Sequence, residues 1–153
     1  MILSPHLTVA EWVHTSHREF VEEQEALWYG SPAIRDASLR FAIEVFEPVR
    51  RLVGPLHVSS GLRCRGLNAA VGGQPASRHL YGLAADVIPL EMDVAGALFA
   101  VAHALRRGEL PGLDRAIDEF GGRWLHLQSA MADEVPARLV LSTVDGREYS
   151  RVT

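Results

Sequence analysis

The sequence predicts a single α+β domain in which helices from the front half pack on a small antiparallel sheet built by the back half. Apolar residues recur at helical spacing from Pro32 to Leu52 and again between Asp93 and Arg107. Later, strand-like runs flank Gly121-Gly122 and Asp145-Gly146, dipeptides suited to hairpin turns. No regular alternation of strand and helix is present that would build a parallel sheet. A length of 153 residues and an apolar content of 48% suit one globular domain with its own core, so residues 1–153 are read as one unit.

The elements follow in order. Thr8 with Glu11 and Ser16 with Glu19 have the spacing of capping boxes and predict two short helices. Gly30, Ser31 and Pro32 break the chain. The stripe Ile34, Ala37, Phe41, Val45, Val49 and Leu52 then predicts a helix with one face on the core, which Pro48 should bend or end early. Leu56 to Ser59 reads as a strand closed by Gly61. Glycines 72, 73 and 82 and Pro75 make the following thirty residues loop-rich, and within them Ala84 to Ile88 is an apolar run around one charge, Asp86. Val94, Leu98, Val101 and Leu105 mark the next helix, stopped by Gly108, with His103 at its surface. Ala116 to Phe120 with Trp124 to Leu127, and Arg138 to Thr143 with Arg147 to Val152, are the expected hairpins.

Composition narrows the function. A net charge of −4 with no basic run disfavours nucleic acid as a partner. No stretch reaches the ~18 apolar residues of a membrane span, and no basic leader precedes an apolar run, so neither a span nor Sec-type export is expected. Cys64 is the only cysteine, which rules out an internal disulfide and a thiolate metal site; it reads as a small buried hydrophobe. Any metal must therefore take imidazole and carboxylate ligands.

One constellation offers such ligands. His79 precedes Asp86 by seven positions with Gly82 between them, and His126 shares a strand face with Trp124 and Gln128 while Leu125 and Leu127 face the core. Two imidazoles and a carboxylate suit a zinc ion and leave its fourth position open for water. Spacing alone leaves a plainer reading open, in which Asp86 caps a loop and both histidines are ordinary half-buried side chains.

The stretch VSSGLRCRGLNAAVGGQPASRHLYGLAADV, residues 58–87, resembles the core of the zinc-dependent murein peptidases, the D-alanyl-D-alanine carboxypeptidase and phage endolysin family. Ser60, Gly61 and Arg63 match its Ser-Gly-x-Arg turn, and Leu67, Asn68, Val71, Gly72 and Gly73 its Leu-Asn-x-x-Val-Gly-Gly loop. Ser77, His79, Gly82, Ala84 and Asp86 match its metal motif, and Trp124 and His126 the late Trp-x-His. LSPHLTVAEW and FEPVR resemble the phage-type branch, whereas residues 129–153 match nothing in the pattern.

The resemblance implies the hedgehog-like zinc peptidase fold and one zinc ion on His79, Asp86 and His126. It also implies that Arg63 meets a substrate carboxylate or an oxyanion, that Ser77 and Trp124 contribute to substrate binding, and that Asn68, Gly72 and Gly73 shape the loop. Peptidoglycan stem peptide is the implied substrate. A monomer is expected, and localisation stays open, since without a Sec-type signal both cytoplasmic synthesis with holin-type release and association with a virion fit. Many family members place a glutamate three residues before the last histidine, where this chain has Arg123. Glu119 is the substitute base if the Gly121-Gly122 loop has even length, because it then pairs with Trp124 and lies beside His126; an odd loop would present Asp118 instead. Two rivals remain at this point: a non-haem iron oxygenase, which also uses two histidines and a carboxylate, and a non-catalytic phage tail or wall-binding protein.

Overall fold

A computed structural model describes residues 1–152; Thr153, the expected end of the domain, lies outside the described residues. Strands Ile2–Ser4 (β1) and Leu7–Thr8 (β2) pair as a short antiparallel ribbon. Helix Val9–Trp12 (α1) starts at Thr8 with the expected capping box: Thr8 Oγ1 accepts from the Glu11 amide and the Glu11 carboxylate accepts from the Thr8 amide.

The second box does not form. Arg18–Phe20 is a single 3-10 turn with no side-chain cap, and the helix proper is Val21–Gly30 (α2). Thr15 Oγ1 takes the His17 amide at 3.1 Å, a local bond that competes with a cap at Ser16.

Helix Pro32–Phe41 (α3) is capped by Ser31 and continues without a break through a π-helical segment, Ala42–Phe46, into Glu47–Val53 (α4). Pro48 therefore does not stop the helix. It has no amide to donate and its ring crowds the carbonyl four residues earlier, and the widened π turn just before it absorbs both defects.

The chain then forms Leu56–Ser60 (β3), Arg65–Ala70 (α5), a 3-10 turn at Arg78–Tyr81, Ala84–Pro89 (β4), Val94–Arg106 (α6), Leu113–Glu119 (β5), Trp124–Ser129 (β6), Leu139–Ser142 (β7) and Ser150–Arg151 (β8). Helix α5 and strand β4 fall in the stretch that glycines had marked as loop. His103 is exposed and Cys64 buried, as expected. Among the described residues no helix is long and apolar enough to cross a membrane.

Six strands form one sheet in the order β3-β4-β6-β5-β7-β8. It is not wholly antiparallel, because β7 runs parallel to β5. Strand β6 already has β4 on its far side, so the chain leaving Ser129 passes to the free edge of β5 and starts β7 at the end where β5 also starts. The second expected hairpin is realised as β7 with a β8 of only two residues, Leu141 opposite Arg151 and Ser142 opposite Ser150.

One face of the sheet carries the core. Ala85, Val87, Ala116, Leu125 and Leu127 pack with Phe41, Phe46 and Val101 from the helices. Alternation along the strands therefore sends Asp86, Glu119 and His126 to the opposite face. The N-terminal segment buttresses the loop after β3: Trp12 is fully buried, its Nε1 donates to Ser38 Oγ at 2.9 Å, and its carbonyl accepts from Leu62 N at 2.9 Å.

Gly61 lies in this contact, and a Cβ there would run into the carbonyl oxygen and the ring of Trp12, neither of which can give way. Gly61→Ala is predicted to destabilise the fold by about 1–3 kcal/mol, the usual cost of overpacking. A denaturant melt measures this, and a midpoint equal to wild type would show that the contact relaxes freely.

Candidate metal centre

Strands β4 and β6 set the first two ligand groups. Asp86 lies directly opposite His126 in the antiparallel register, and its Oδ1 is 2.8 Å from His126 Nδ1. A carboxylate in a strand where Ala84, Ala85 and Val87 are fully buried is surrounded by apolar neighbours, and Asp86 itself is only 6% exposed. Burial works to raise its pKa, but the charge of His79 and the hydrogen bond from His126 outweigh that and hold it well below the ordinary carboxylate range.

The third group comes from the 3-10 turn. Ser77 Oγ accepts from the His79 amide at 3.4 Å, and Gly82 ends the turn in the left-handed region, where its missing Cβ also leaves room for Ser38 Oγ. The His79 ring is 2% exposed, with Nδ1 2.6 Å from the Gly61 carbonyl. A carbonyl only accepts, so Nδ1 carries the proton and Nε2 the lone pair. That Nε2 is buried, makes no hydrogen bond, and lies 3.3 Å from Asp86 Oδ1.

The three ligand atoms lie within 4.8 Å of one another. An orphaned lone pair on His79, a carboxylate oxygen and a second imidazole converge on one point, which is the donor set of a borderline cation such as zinc. The residues present thus fit a metal ion. Desolvation lowers the His79 pKa, leaving that ring neutral and ready to ligate. His126 is partly buried, and its desolvation favours the neutral form, yet the hydrogen bond and charge of Asp86 raise its pKa above the ordinary histidine value.

Arg63 sits behind the carboxylate. Its Nη2 is 2.5 Å from Asp86 Oδ2 and its Nε donates to Ser60 Oγ at 2.8 Å, while its amide donates to the His79 carbonyl at 3.0 Å. The arginine expected at the substrate is thus already engaged with a candidate ligand, and the Ser-Gly-x-Arg turn braces both ends of the ligand set.

The Gly121-Gly122 loop has even length, with Glu119 opposite Trp124 and Asp118 opposite Leu125. Glu119 therefore shares the face of His126 and is half-buried beside it. Burial raises its pKa above the usual carboxylate value, with the charges of Asp86 and Asp118 adding to the shift and His126 opposing it. Asp118 is occupied elsewhere: its Oδ1 accepts from the Gly122 amide at 2.6 Å and closes the turn. Trp124 is half-buried at the rim, with Phe120 5.1 Å away between ring centroids. Asn68 shapes its loop, donating through Nδ2 to the Gln74 carbonyl at 3.0 Å and leaving no room for a side chain at Gly73. Gly72 takes positive φ in the turn after α5.

Sequence reasoning missed two supports of the site. The Gly61 carbonyl has no side-chain signal. Gln128 was visible on the face of His126, but its partner Asp114 was not. A comparison with curated proteins finds no match. The sequence model of the family described as peptidase M15 matches residues 8–120. That stretch holds Arg63, Ser77, His79, Asp86 and Glu119, while His126 lies beyond it and is joined to the site by the pairing of β6 with β4. A match over most of the 153 residues, on a mixed helix-and-sheet fold, places the chain in the peptidase M15 family.

Proposed function

We propose that this M15 peptidase uses one zinc ion on His79, Asp86 and His126 to hydrolyse an amide bond in the peptide stems of peptidoglycan. The observation that carries this reading is the convergence of His79 Nε2, Asp86 and His126 Nδ1 beside a half-buried carboxylate, Glu119. When bound, the ion supplies a Lewis acid and makes water a competent nucleophile near neutral pH.

The chain's own residues do the rest. Glu119 takes the proton from the attacking water on a carboxylate oxygen and returns it to the departing amine, a task for which a raised pKa suits it. Arg63 fixes Asp86 with one side of its guanidinium and presents Nη1 to a substrate oxygen. Trp124 offers an apolar rim to the peptide, and Ser77 orients the metal loop through the His79 amide. Membership in a peptidase family favours this chemistry over an iron oxygenase, and Glu119 on the ligand face favours a working enzyme over a binding relic.

Three outcomes test the reading. His126→Ala is expected to lose most of the zinc that wild type retains, because two ligands make a poor tetrahedral site; equal metal content by atomic absorption would remove the assignment. Glu119→Gln should keep its zinc but lower muropeptide hydrolysis by about two to four orders of magnitude, measured by mass spectrometry of the digest. A larger loss in Asp118→Asn would transfer the base to that residue.

Zinc affinity is also predicted to depend on pH with a definite sign. The folded metal-free protein holds a proton on His126 to higher pH than an ordinary histidine does, so the ion must displace it. Affinity should therefore fall as pH drops through that raised value, by up to about tenfold per unit for one proton. The proton also stabilises the metal-free fold below the unfolded histidine value, and that contribution disappears as pH rises through the folded one. Chelator competition across pH measures the first effect, and a flat profile would mean that His126 is not a ligand.

A further inference from the structure

We propose that Asp114 and Gln128 form a buried relay that fixes which nitrogen of His126 faces the ion, making them positioning residues of the metal centre. The inference rests on the metal-site reading above and adds two residues that it does not use.

Gln128 follows His126 on the same face of β6 and is 8% exposed; Asp114 on β5 is 4% exposed. Gln128 Nε2 donates to Asp114 Oδ2 at 2.7 Å, and Asp114 Oδ1 accepts from the Ala137 amide at 2.6 Å. Both oxygens of this carboxylate are thus occupied, one by the segment leading into β7. Arg115 Nε, 3.5 Å from Oδ2, adds a positive charge nearby.

A carboxylate of this kind only accepts hydrogen bonds, so it fixes the orientation of the amide, whose flipped form would set oxygen against oxygen. With its NH2 group held by Asp114, Gln128 turns Oε1 toward His126 Nε2, 3.3 Å away. An amide oxygen also only accepts. The Asp86 carboxylate, whose Oδ1 lies 2.8 Å from Nδ1, only accepts as well, so in the metal-free protein both ring nitrogens of His126 face acceptors; when an ion takes the place of the Nδ1 proton, Gln128 keeps the remaining proton on Nε2.

His79 is fixed the other way, with its proton on Nδ1 against the Gly61 carbonyl and its lone pair on Nε2. The two imidazoles thus present unlike nitrogens to one point, and each has its own buried acceptor behind it. Hydrogen bonds of this sort behind metal-ligating histidines set the tautomer and ring angle, and losing one costs about 10–100-fold in metal affinity.

The test reads the Nε2 proton and the metal separately. In metal-free wild type at mildly acidic pH, where both ring nitrogens carry protons, proton–nitrogen NMR should show the His126 Nε2–H protected from exchange by its bond to Gln128. Gln128→Leu, similar in volume but unable to accept, should lose that protection and weaken zinc binding by about 10–100-fold in chelator competition, with the fold checked by circular dichroism.

The paired exchange Asp114→Asn with Gln128→Glu reverses the donor between the two residues but still offers His126 an acceptor. It should restore both readouts, including where the single change folds poorly. A wild type that folds but binds no zinc would remove the metal reading while leaving the Nε2–H result to judge the relay. An equally protected Nε2–H in Gln128→Leu with zinc affinity within about threefold of wild type would overturn the relay, since the expected effect is much larger.

Discussion

Asp86 is a charge in the middle of a buried strand, and the rest of the site follows from the need to compensate it. An isolated ionised carboxylate in an apolar interior is strongly disfavoured. Here two imidazoles and a guanidinium converge on it, drawn from the 3-10 turn, from β6 and from the turn after β3. Removing any one leaves buried charge without its partner, which is worse than having no pair at all. A sequence that puts aspartate among alanines and valines therefore has to bring those three segments together, and the cluster they make has the composition of a metal site. Part of the energy that stabilises the fold is thus spent holding ligands in place.

The same constraint explains what could be read from the sequence. Helical stripes at Ile34 to Leu52 and Val94 to Leu105 were legible because each buries one face, and the Gly121-Gly122 hairpin was legible because its dipeptide leaves few other conformations. The parity of its loop was left open between Glu119 and Asp118, and the register decides it by pairing Glu119 with Trp124. Strand β4 was not legible as a strand, since Ala84 and Ala85 have weak strand preference and the charge at Asp86 breaks the pattern; only its pairing with β3 and β6 makes it extended. Helix α5 was hidden for a similar reason, as its six residues are too short for periodicity to show. The parallel placement of β7 depends on which sheet edge is free, which no local signal records.

Residues beyond the family match are not an ornament. His126 lies there, and so does Ala137, whose amide holds Asp114. Glu134 pairs with Arg78 at 2.6 Å, immediately beside His79, tying the metal loop to the segment between β6 and β7. These bonds differ in worth. The Arg78 pair is partly exposed and screened by water, so it contributes little to stability, whereas the buried bond at Asp114 leaves a carboxylate unsatisfied if it is broken. The C-terminal part of the chain therefore acts on the site mainly through buried hydrogen bonds rather than surface charge.

The position of the base shows how function can move along a sequence while staying in place in space. At the position three before the last histidine this chain has Arg123, which is exposed at the hairpin turn and remote in chemistry from a proton acceptor. A residue at that position reaches the histidine only if the loop curls back over the strand. Here Phe120, Gly121 and Gly122 all take positive φ, a tight left-handed path that turns the chain directly from β5 into β6. Phe120 tolerates that conformation while its ring packs on the Gly146 turn, where no Cβ could fit. The register this turn sets puts Glu119 across from Trp124 and diagonal to His126, so the neighbouring strand supplies the carboxylate that the same strand lacks. Sequence distance to the histidine is then the wrong measure for finding a base; what matters is whether the turn keeps an even count between the strands.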